Sequence, residues 1–356
     1  MKFKRLITFL LCFTSIMVQP SYSISVNELL PNERNTVEIF QKFAPKVVYV
    51  HRLTTVINKS YQRTQIPAGA GSGIIWDSQG HIVTNFHVIK GADKLSISIG
   101  KLTVPAKLIG AEPRKDIAVL AINSPKALEM LKTFEPFALA RTDELMVGQK
   151  TIAIGNPFGL DHSLSVGVIS ALGRKVPGAG GVTIREMIQT DTSINPGNSG
   201  GPLLDSKGRL IGLNTAIFSS SGSSAGVGFA VPANDIARLV PQIIKNGRVV
   251  LSGIGIQWVG PTVSKHLGVK KGILIGSVIP HTPAAIAGLK GTFRDNWGHL
   301  HLGDIIIALN DHPIRNYDAL YYFLANINVG EGIKVTVLRH GQKINFNMKT
   351  IDIAAY

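Results

Sequence analysis

The sequence has almost no cysteine. Cys12 is the only one among 356 residues, so no disulfide can form within the chain and the fold must be held by packing. The residue before it is Leu11, a poor context for lipid attachment at that thiol. A chain that depends on neither disulfide nor thiol suits an oxidising compartment. Long hydrophobic runs are also missing. The apolar stretch Leu6 to Val18 holds 13 residues, short of the roughly 20 that a membrane-spanning helix needs. The formal net charge is +15, yet there is no run of five or more basic residues and no interleaving of basic with aromatic side chains. That argues against nucleic acid as a partner. It describes a solvated basic surface, with room for weak attraction to anionic membrane surfaces. No cofactor motif is present.

What is there begins with a leader. "MKFKR" is a positive start, Leu6 to Val18 an apolar core, and Ser21-Tyr22-Ser23 a small-x-small cleavage site. This is the pattern of a secretory signal peptide over 1–23, and its removal leaves a net charge of +12. An uncleaved leader would instead anchor the chain at the inner membrane.

From Lys46 to about Ala233 the chain reads as short β segments split by Gly, Pro, Asn and Asp, such as "KVVYVHRL", "HIVTNF", "IAVLAI" and "RLIGLNTAIF". Many short strands at regular spacing favour a β-barrel or sandwich over a parallel α/β sheet. The period then becomes helical over Ile236, Leu239, Val240, Ile243 and Ile244 behind Asn234 as a cap. Pro241 lies inside that pattern and predicts a kinked or shortened helix. After a boundary at Lys245 to Gly253 comes a second β-rich unit, with one helix around Leu320, Phe323, Leu324 and Ile327. "SSSGSS" (Ser219 to Ser224) is low-complexity and reads as a loop.

One hydroxyl stands among glycines and prolines in "NPGNSGGPLL" (Asn195 to Leu204). If Ser199 is a nucleophile it needs a base, and the base needs an acid to orient it. His87 follows the strand "HIVTNF" and Asp116 precedes "IAVL", both at loop edges where functional groups sit. "GNSGG" also satisfies the G-x-S-x-G elbow of α/β-hydrolases, but that fold requires a helix directly after the serine. Here "GGPLLDSKGRLIGL" reads as a hairpin. The order His87, Asp116, Ser199 is that of the chymotrypsin-like β-barrel. Backbone N–H groups of Gly197 and Ser199, with Asn198 between them, would then receive a developing oxyanion.

At these residues the sequence resembles the HtrA/Deg (DegP-like) family of serine proteases, with the chloroplast Deg-type branch nearest in flavour. "GAGSGIIWDSQGHIVTNFHVI", "KDIAVL", "AIGNPFGLDHSLSVGVIS" and "IQTDTSINPGNSGGPLLDSKGRLIGLNTAI" carry the likeness, which runs from about Thr36 to the C-terminus. The resemblance implies a mostly β fold, a chymotrypsin-like double six-stranded barrel followed by a C-terminal PDZ domain. The expected division is 24–45 as an N-terminal segment available for trimer contact, 46–245 as protease, 246–252 as linker, 253–350 as PDZ and 351–356 as tail. His87, Asp116 and Ser199 take the triad positions. Ile194, Asn214, Thr215, Ala216 and Ile217 fall on the primary specificity pocket, whose two aliphatic walls would suit a Val, Ile or Ala side chain. Arg174 to Arg185 matches a sensor loop that relays PDZ or ligand signals, and Ala216 to Ala225 matches the pocket loop. Gly253, Ile254, Gly255 and Ile256 resemble the PDZ carboxylate-binding loop, with Arg248 to steer the acid.

The function implied is ATP-independent cleavage of unfolded proteins by an exported, periplasmic enzyme, assembled as a trimer or multiples of trimers and binding C-terminal peptides at its PDZ domain. Two other readings stay open: a chaperone or peptide-binding scaffold with a latent protease, and a regulatory protease that cuts one signalling protein. Phe40, Phe43 and Tyr49 fit either a trimer centre or the core. Ile194 and Ile217 fit either pocket walls or the core. His299 and His301 alternate with apolar positions and read as a solvated strand face rather than a metal site.

Overall fold

Period-two alternation assigns each strand's two faces to different cores. In "IAVLAI", Ile117 and Val119 enter one cluster of buried residues, while Ala118, Leu120 and Ile122 enter another. The computed structural model that shows this describes residues 25–57, 63–157, 159, 161–177, 183–195, 197–217 and 226–353. The expected leader, the serine-rich loop 219–224 and the centre of the expected sensor loop lie outside the described residues.

Strands β1 (Val47–Ile57), β2 (Arg63–Ile75), β3 (His81–Thr84), β4 (Lys94–Ile99), β5 (Leu102–Glu112) and β6 (Ile117–Ile122) close a barrel in the order β1-β2-β3-β6-β5-β4. Strands β7 (Lys150–Gly155), β8 (Ser163–Pro177), β9 (Thr183–Thr190), β10 (Pro202–Leu204), β11 (Leu210–Ile217) and β12 (Gly228–Pro232) close a second, β10-β11-β12-β9-β8-β7. Each barrel has its own filling: Val48, Ile75, Ile82 and Leu120 in the first, Ile169, Ile188, Leu203 and Ile211 in the second. A third cluster lies between them, where Val47, Ile74 and Val119 meet Ile152, Leu213 and Val231. Closure leaves no free sheet edge, and the apolar seam joins the barrels into one body.

Helices seal this seam. Helix α1 (Pro31–Phe43) buries Ile39 and Phe43, and the Phe43 ring stacks on Phe137 with centroids 5.4 Å apart. Phe43 is therefore a core residue, Phe40 packs against the same cluster, and Tyr49 is half-buried on β1. The short helices α2 (Phe86–Ile89) and α3 (Pro125–Leu131) cap the first barrel. Helix α4 (Ala233–Asn246) buries Ile236, Leu239, Val240 and Ile243 and is not shortened by Pro241. It ends at Gly247, whose φ of 71° is the left-handed cap that glycine adopts without strain. Asn234 does not cap it. The residue lies inside the helix, its Oδ1 accepting from the Thr142 N–H at 3.1 Å.

The C-terminal unit contains β13 (Ser252–Gly253), β14 (Ile256–Trp258), α5 (Pro261–His266), β15 (Ile273–Val278), α6 (Pro283–Ile286), β16 (Phe293–Arg294), β17 (Leu300–His301), β18 (Ile305–Leu309), β19 (His312–Pro313), α7 (Tyr317–Leu324), β20 (Gly332–Arg339), β21 (Gln342–Lys349) and β22 (Ile351–Asp352). Its main sheet runs β14-β15-β18-β20-β21, so β14 is an edge strand. Helix α7 is capped by the Asn316 side chain, which accepts from the Ala319 N–H at 3.0 Å, and it ends before Ile327. No helix among the described residues is long and apolar enough to cross a membrane.

Leu213 is fully buried in the seam between the barrels. Replacing it with Ala is expected to cost about 2–5 kcal/mol, as for other large core truncations, read as a lower urea midpoint with an unchanged slope.

Candidate functional site

His87 is the second residue of α2 and Asp116 closes the turn between β5 and β6. The two meet twice. Asp116 Oδ2 lies 2.7 Å from His87 Nδ1, and Oδ1 accepts the His87 backbone N–H at 2.9 Å. The Asp116 backbone is left-handed, φ 56°, a conformation that Asp tolerates better than most residues. Its carbonyl accepts from the Phe86 N–H at 3.2 Å and from Asn85 Nδ2 at 2.9 Å. Asp116 is almost wholly buried, and the His87 side chain is 37% exposed. This pairing leaves Nε2 as the imidazole's open nitrogen.

Ser199 comes from the other barrel. Its Oγ donates to the Thr215 carbonyl at 3.1 Å, and the Thr215 hydroxyl donates to Asp116 Oδ2. Thr215, expected on the pocket wall, thus touches both the acid and the serine. A bulge explains the position: the β11–β12 register passes from Asn214–Ala230 to Ala216–Phe229, leaving Thr215 as the extra residue. Such an insertion re-aims a side chain.

The serine loop is held by a residue that sequence reasoning passed over. Ser72, on β2 of the first barrel, donates its N–H to the Ser199 carbonyl at 2.8 Å and its hydroxyl to the Gly197 carbonyl at 2.5 Å. The same hydroxyl accepts from the Asn156 N–H at 2.7 Å, and the Ser72 carbonyl accepts from Thr84 Oγ1 at 2.7 Å. The only trace in the sequence is a serine between two glycines in "GSG". Gly200 has φ 84°, and a Cβ there would collide with the Ser72 carbonyl. Gly197 has φ 107° and lies equally close to Pro157. Glycine is required at both. The Gly197 and Ser199 amides have no acceptor among the described residues.

Two other expected residues serve different ends. Asn198 spends its N–H on the Asn195 carbonyl at 3.0 Å, and its side chain bonds Ser193 O and Ser163 Oγ. It shapes the loop rather than offering a donor to a ligand. Asn214 is fully buried. Its backbone pairs with Gly200 and Gly201, and its side chain donates to Pro202 O at 2.9 Å. Ile194 is 1% exposed and packs within the core cluster of the second barrel. The side chains of Ala216 and Ile217 lie outside the described residues, as does most of the expected pocket loop.

In the C-terminal unit a groove of about 330 Å³ runs between β13–β14 and α7. Gly253, Ile254, Gly255 and Ile256 line it, with Tyr321 and Leu324 opposite. The Ile254 and Gly255 carbonyls are taken by the Ala284 and Ile279 amides, each at 2.9 Å. Arg248 does not reach this groove: its guanidinium is held by Asp352, with Nη2 to Oδ2 at 2.7 Å. The cation that does line it is Arg114, from the first barrel. His299 and His301 both contact Asp295 Oδ2, at 3.2 and 2.9 Å. Among the described residues no group of three or more His, Cys, Asp or Glu is placed to hold a metal.

The two units touch through α7. The Tyr322 hydroxyl donates to the Thr183 carbonyl at 2.7 Å and accepts from the Arg185 N–H at 2.8 Å. Burial pushes this hydroxyl up to about 12, so it stays protonated and able to donate. The Arg185 guanidinium covers the same ring at 4.1 Å. The C-terminal flank of the expected sensor loop is therefore bonded directly to α7.

Comparison with known proteins agrees with this architecture. A model of the trypsin-like peptidase domain matches residues 71–213, and a PDZ domain model matches residues 252–350. Protease Do-like 1, chloroplastic, of Arabidopsis thaliana is 44% identical over 327 residues, covering 90% of this chain and 73% of its own. Periplasmic serine endoprotease DegP of Escherichia coli strain K12 is 38% identical over 288 residues, covering 78% of this chain; the chain spans 56% of DegP. The solved structure of the HtrA-type protease AlgWS227A with decapeptide superposes with a TM-score of 0.69 at 32% identity, covering 89% of this chain and 97% of its own. Two closed six-stranded barrels followed by a PDZ domain define a trypsin-like serine protease with a peptide-binding module. The chain belongs to the HtrA/Deg family of serine proteases.

Ser72→Ala removes a hydroxyl that bonds two buried backbone groups of the serine loop. Displacing that loop is expected to lower kcat about 10²-fold with little change in KM, measured by steady-state cleavage of a quenched peptide.

Proposed function

We propose that the protein is an exported, ATP-independent endopeptidase in which Ser199, His87 and Asp116 form the catalytic triad. The 2.7 Å contact between His87 Nδ1 and Asp116 Oδ2, beside a serine loop with two amides unpaired among the described residues, carries this reading. With Asp116 holding Nδ1–H, Nε2 is the basic nitrogen that takes the Ser199 proton as Oγ attacks a peptide carbonyl. The same nitrogen then protonates the leaving amine, worth about 10²–10⁴ in rate. Water, deprotonated by His87, hydrolyses the acyl-enzyme. The Gly197 and Ser199 amides receive the oxyanion, each such donor contributing about 10²–10³. Thr215 supplies a second hydrogen bond to the same Asp116 oxygen that faces His87 Nδ1.

In this reading, residues 46–245 cut unfolded or damaged proteins and the PDZ unit, 253–350, captures C-terminal peptides. β14 is an edge strand, and an extended peptide added there would lie in the groove under α7. The related AlgW protease, solved with a decapeptide, accords with this mode. Export rests on the leader and on relatives named as periplasmic or chloroplastic. Assembly as a trimer, or multiples of trimers, follows from family likeness. A second reading, a chaperone with a latent protease, draws on one observation: Ser199 Oγ bonds the Thr215 carbonyl rather than His87.

Casein cleavage without ATP separates the two. Wild type is expected to cut, Ser199→Ala to have no activity, and Asp116→Asn to lose about 10⁴ in kcat through the wrong imidazole tautomer. If no protein cuts but all suppress aggregation, the chaperone reading stands and the triad assignment falls.

A further inference from the structure

The peptide groove of the PDZ unit is lined partly by the protease unit, through Arg114. This side chain leaves the β5–β6 turn and lies over the Tyr321 ring of α7, 4.5 Å from its centroid. Glu112 fixes its direction, with Nε and Nη2 at 2.7 and 2.8 Å from the two carboxylate oxygens. Burial by itself would lower the guanidinium's pKa, but the bonded Glu112 carboxylate raises it, so the charge is permanent. Glu112 is only 2% exposed, shielded behind the guanidinium. A guanidinium carries five N–H donors, and Glu112 engages two of them. The remaining three have no partner among the described residues, and the side chain is 18% exposed.

Strand and helix geometry locate Arg114 along a bound peptide. With the terminal carboxylate at the Gly253–Gly255 turn, the last side chain faces Leu251 and Leu324, which are apolar groove walls. Moving back two residues along an extended peptide advances about 6.6 Å on the same face. That is about four residues of α7 at 1.5 Å each, from Leu324 to Leu320, beside Tyr321 and the Arg114 guanidinium stacked on it. We infer that Arg114 makes the groove a composite site selecting C-terminal peptides with Asp or Glu at the third position from the end. The inference rests on the groove's capture of C-terminal peptides. The acid would accept charge-assisted bonds from the outward edge of the guanidinium, a contact that the PDZ unit cannot supply from its own groove residues.

Fluorescence polarisation on the full chain carrying Ser199→Ala tests this without cleavage. The probes are labelled decapeptides ending in Val, with Glu or Gln third from the end, and the same peptides amidated at the C-terminus. The Glu peptide is expected to bind about tenfold tighter than the Gln peptide. The ratio of the two affinities should fall to about one with Arg114→Gln and stay above one with Arg114→Lys. Because Arg114→Gln strands a buried carboxylate, the pair Glu112→Gln/Arg114→Gln is measured beside it and should also show no preference. A Glu preference that persists without Arg114, or is absent from the parent while the Gln peptide binds, overturns the inference alone. Equal binding of free and amidated peptides, or no binding at all, overturns the groove reading and the inference with it.

Discussion

Ser199 belongs to the second barrel, but the shape of its loop is set by Ser72 of the first. Ser72 makes four bonds around this junction, to the Ser199 and Gly197 carbonyls, the Asn156 amide and the Thr84 hydroxyl. The first barrel also supplies His87 and Asp116. A loop with two left-handed glycines would not hold one conformation unaided, since glycine gives up more backbone entropy on ordering than any other residue. The buried seam of Val47, Ile74, Ile152 and Leu213 keeps the barrels in register so that these bonds can form. Site geometry here is a property of the barrel–barrel interface and of neither barrel alone.

The Asp116 turn is the second convergence. Arg114, Lys115 and Asp116 follow one another, and each is anchored to a different body. Arg114 pairs with Glu112 and stacks on Tyr321 of the PDZ unit, and Lys115 pairs with Asp235 at the start of α4 at 2.7 Å. Asp116 holds His87. Lys115 is nearly buried, so losing Asp235 would strand its charge at a cost of about 3–5 kcal/mol, whereas Asp235 is also held by Arg238 at 3.0 Å. The left-handed Asp116 backbone thus persists because its neighbours on both sides are fixed.

Much of this was legible in the sequence, for a physical reason. Short apolar strands at regular spacing between Gly, Pro, Asn and Asp turns mark barrel architecture, and the order His87, Asp116, Ser199 with a hairpin after the serine excludes the hydrolase elbow; β10 and β11 form that hairpin. What was not legible depends on register and on distant packing. Thr215 acts at the acid because of a one-residue bulge that no local pattern announces. Asn198 reads as part of an anion cradle by its place between Gly197 and Ser199, but its amide is already spent on Asn195. Arg248 stands nearest the groove in sequence, yet Asp352, 104 residues away, claims it. Pro241 failed to shorten α4 because the lost backbone bond and ring clash, about 3 kcal/mol or more, are outweighed by four buried aliphatic side chains of the helix, each worth about 1.5–3 kcal/mol.

The contacts between the protease and α7 differ in kind from those that hold the barrels. They consist of cation–π stacks, one tyrosine hydroxyl shared between Thr183 and Arg185, and a single amide-to-Asp318 bond at 3.3 Å. Each is worth on the order of 0.5–2 kcal/mol, well below the apolar seam. An interface of this strength can rearrange without unfolding either unit. It also concentrates on one helix, α7, whose Tyr321 and Leu324 line the groove and whose Tyr322 and Asp318 hold the protease. Both sets of contacts lie within the eight residues of α7, so the groove wall and the protease contact are faces of one helix. The same short helix that forms the groove wall thus also holds the Thr183–Arg185 segment, through the Tyr322 hydroxyl.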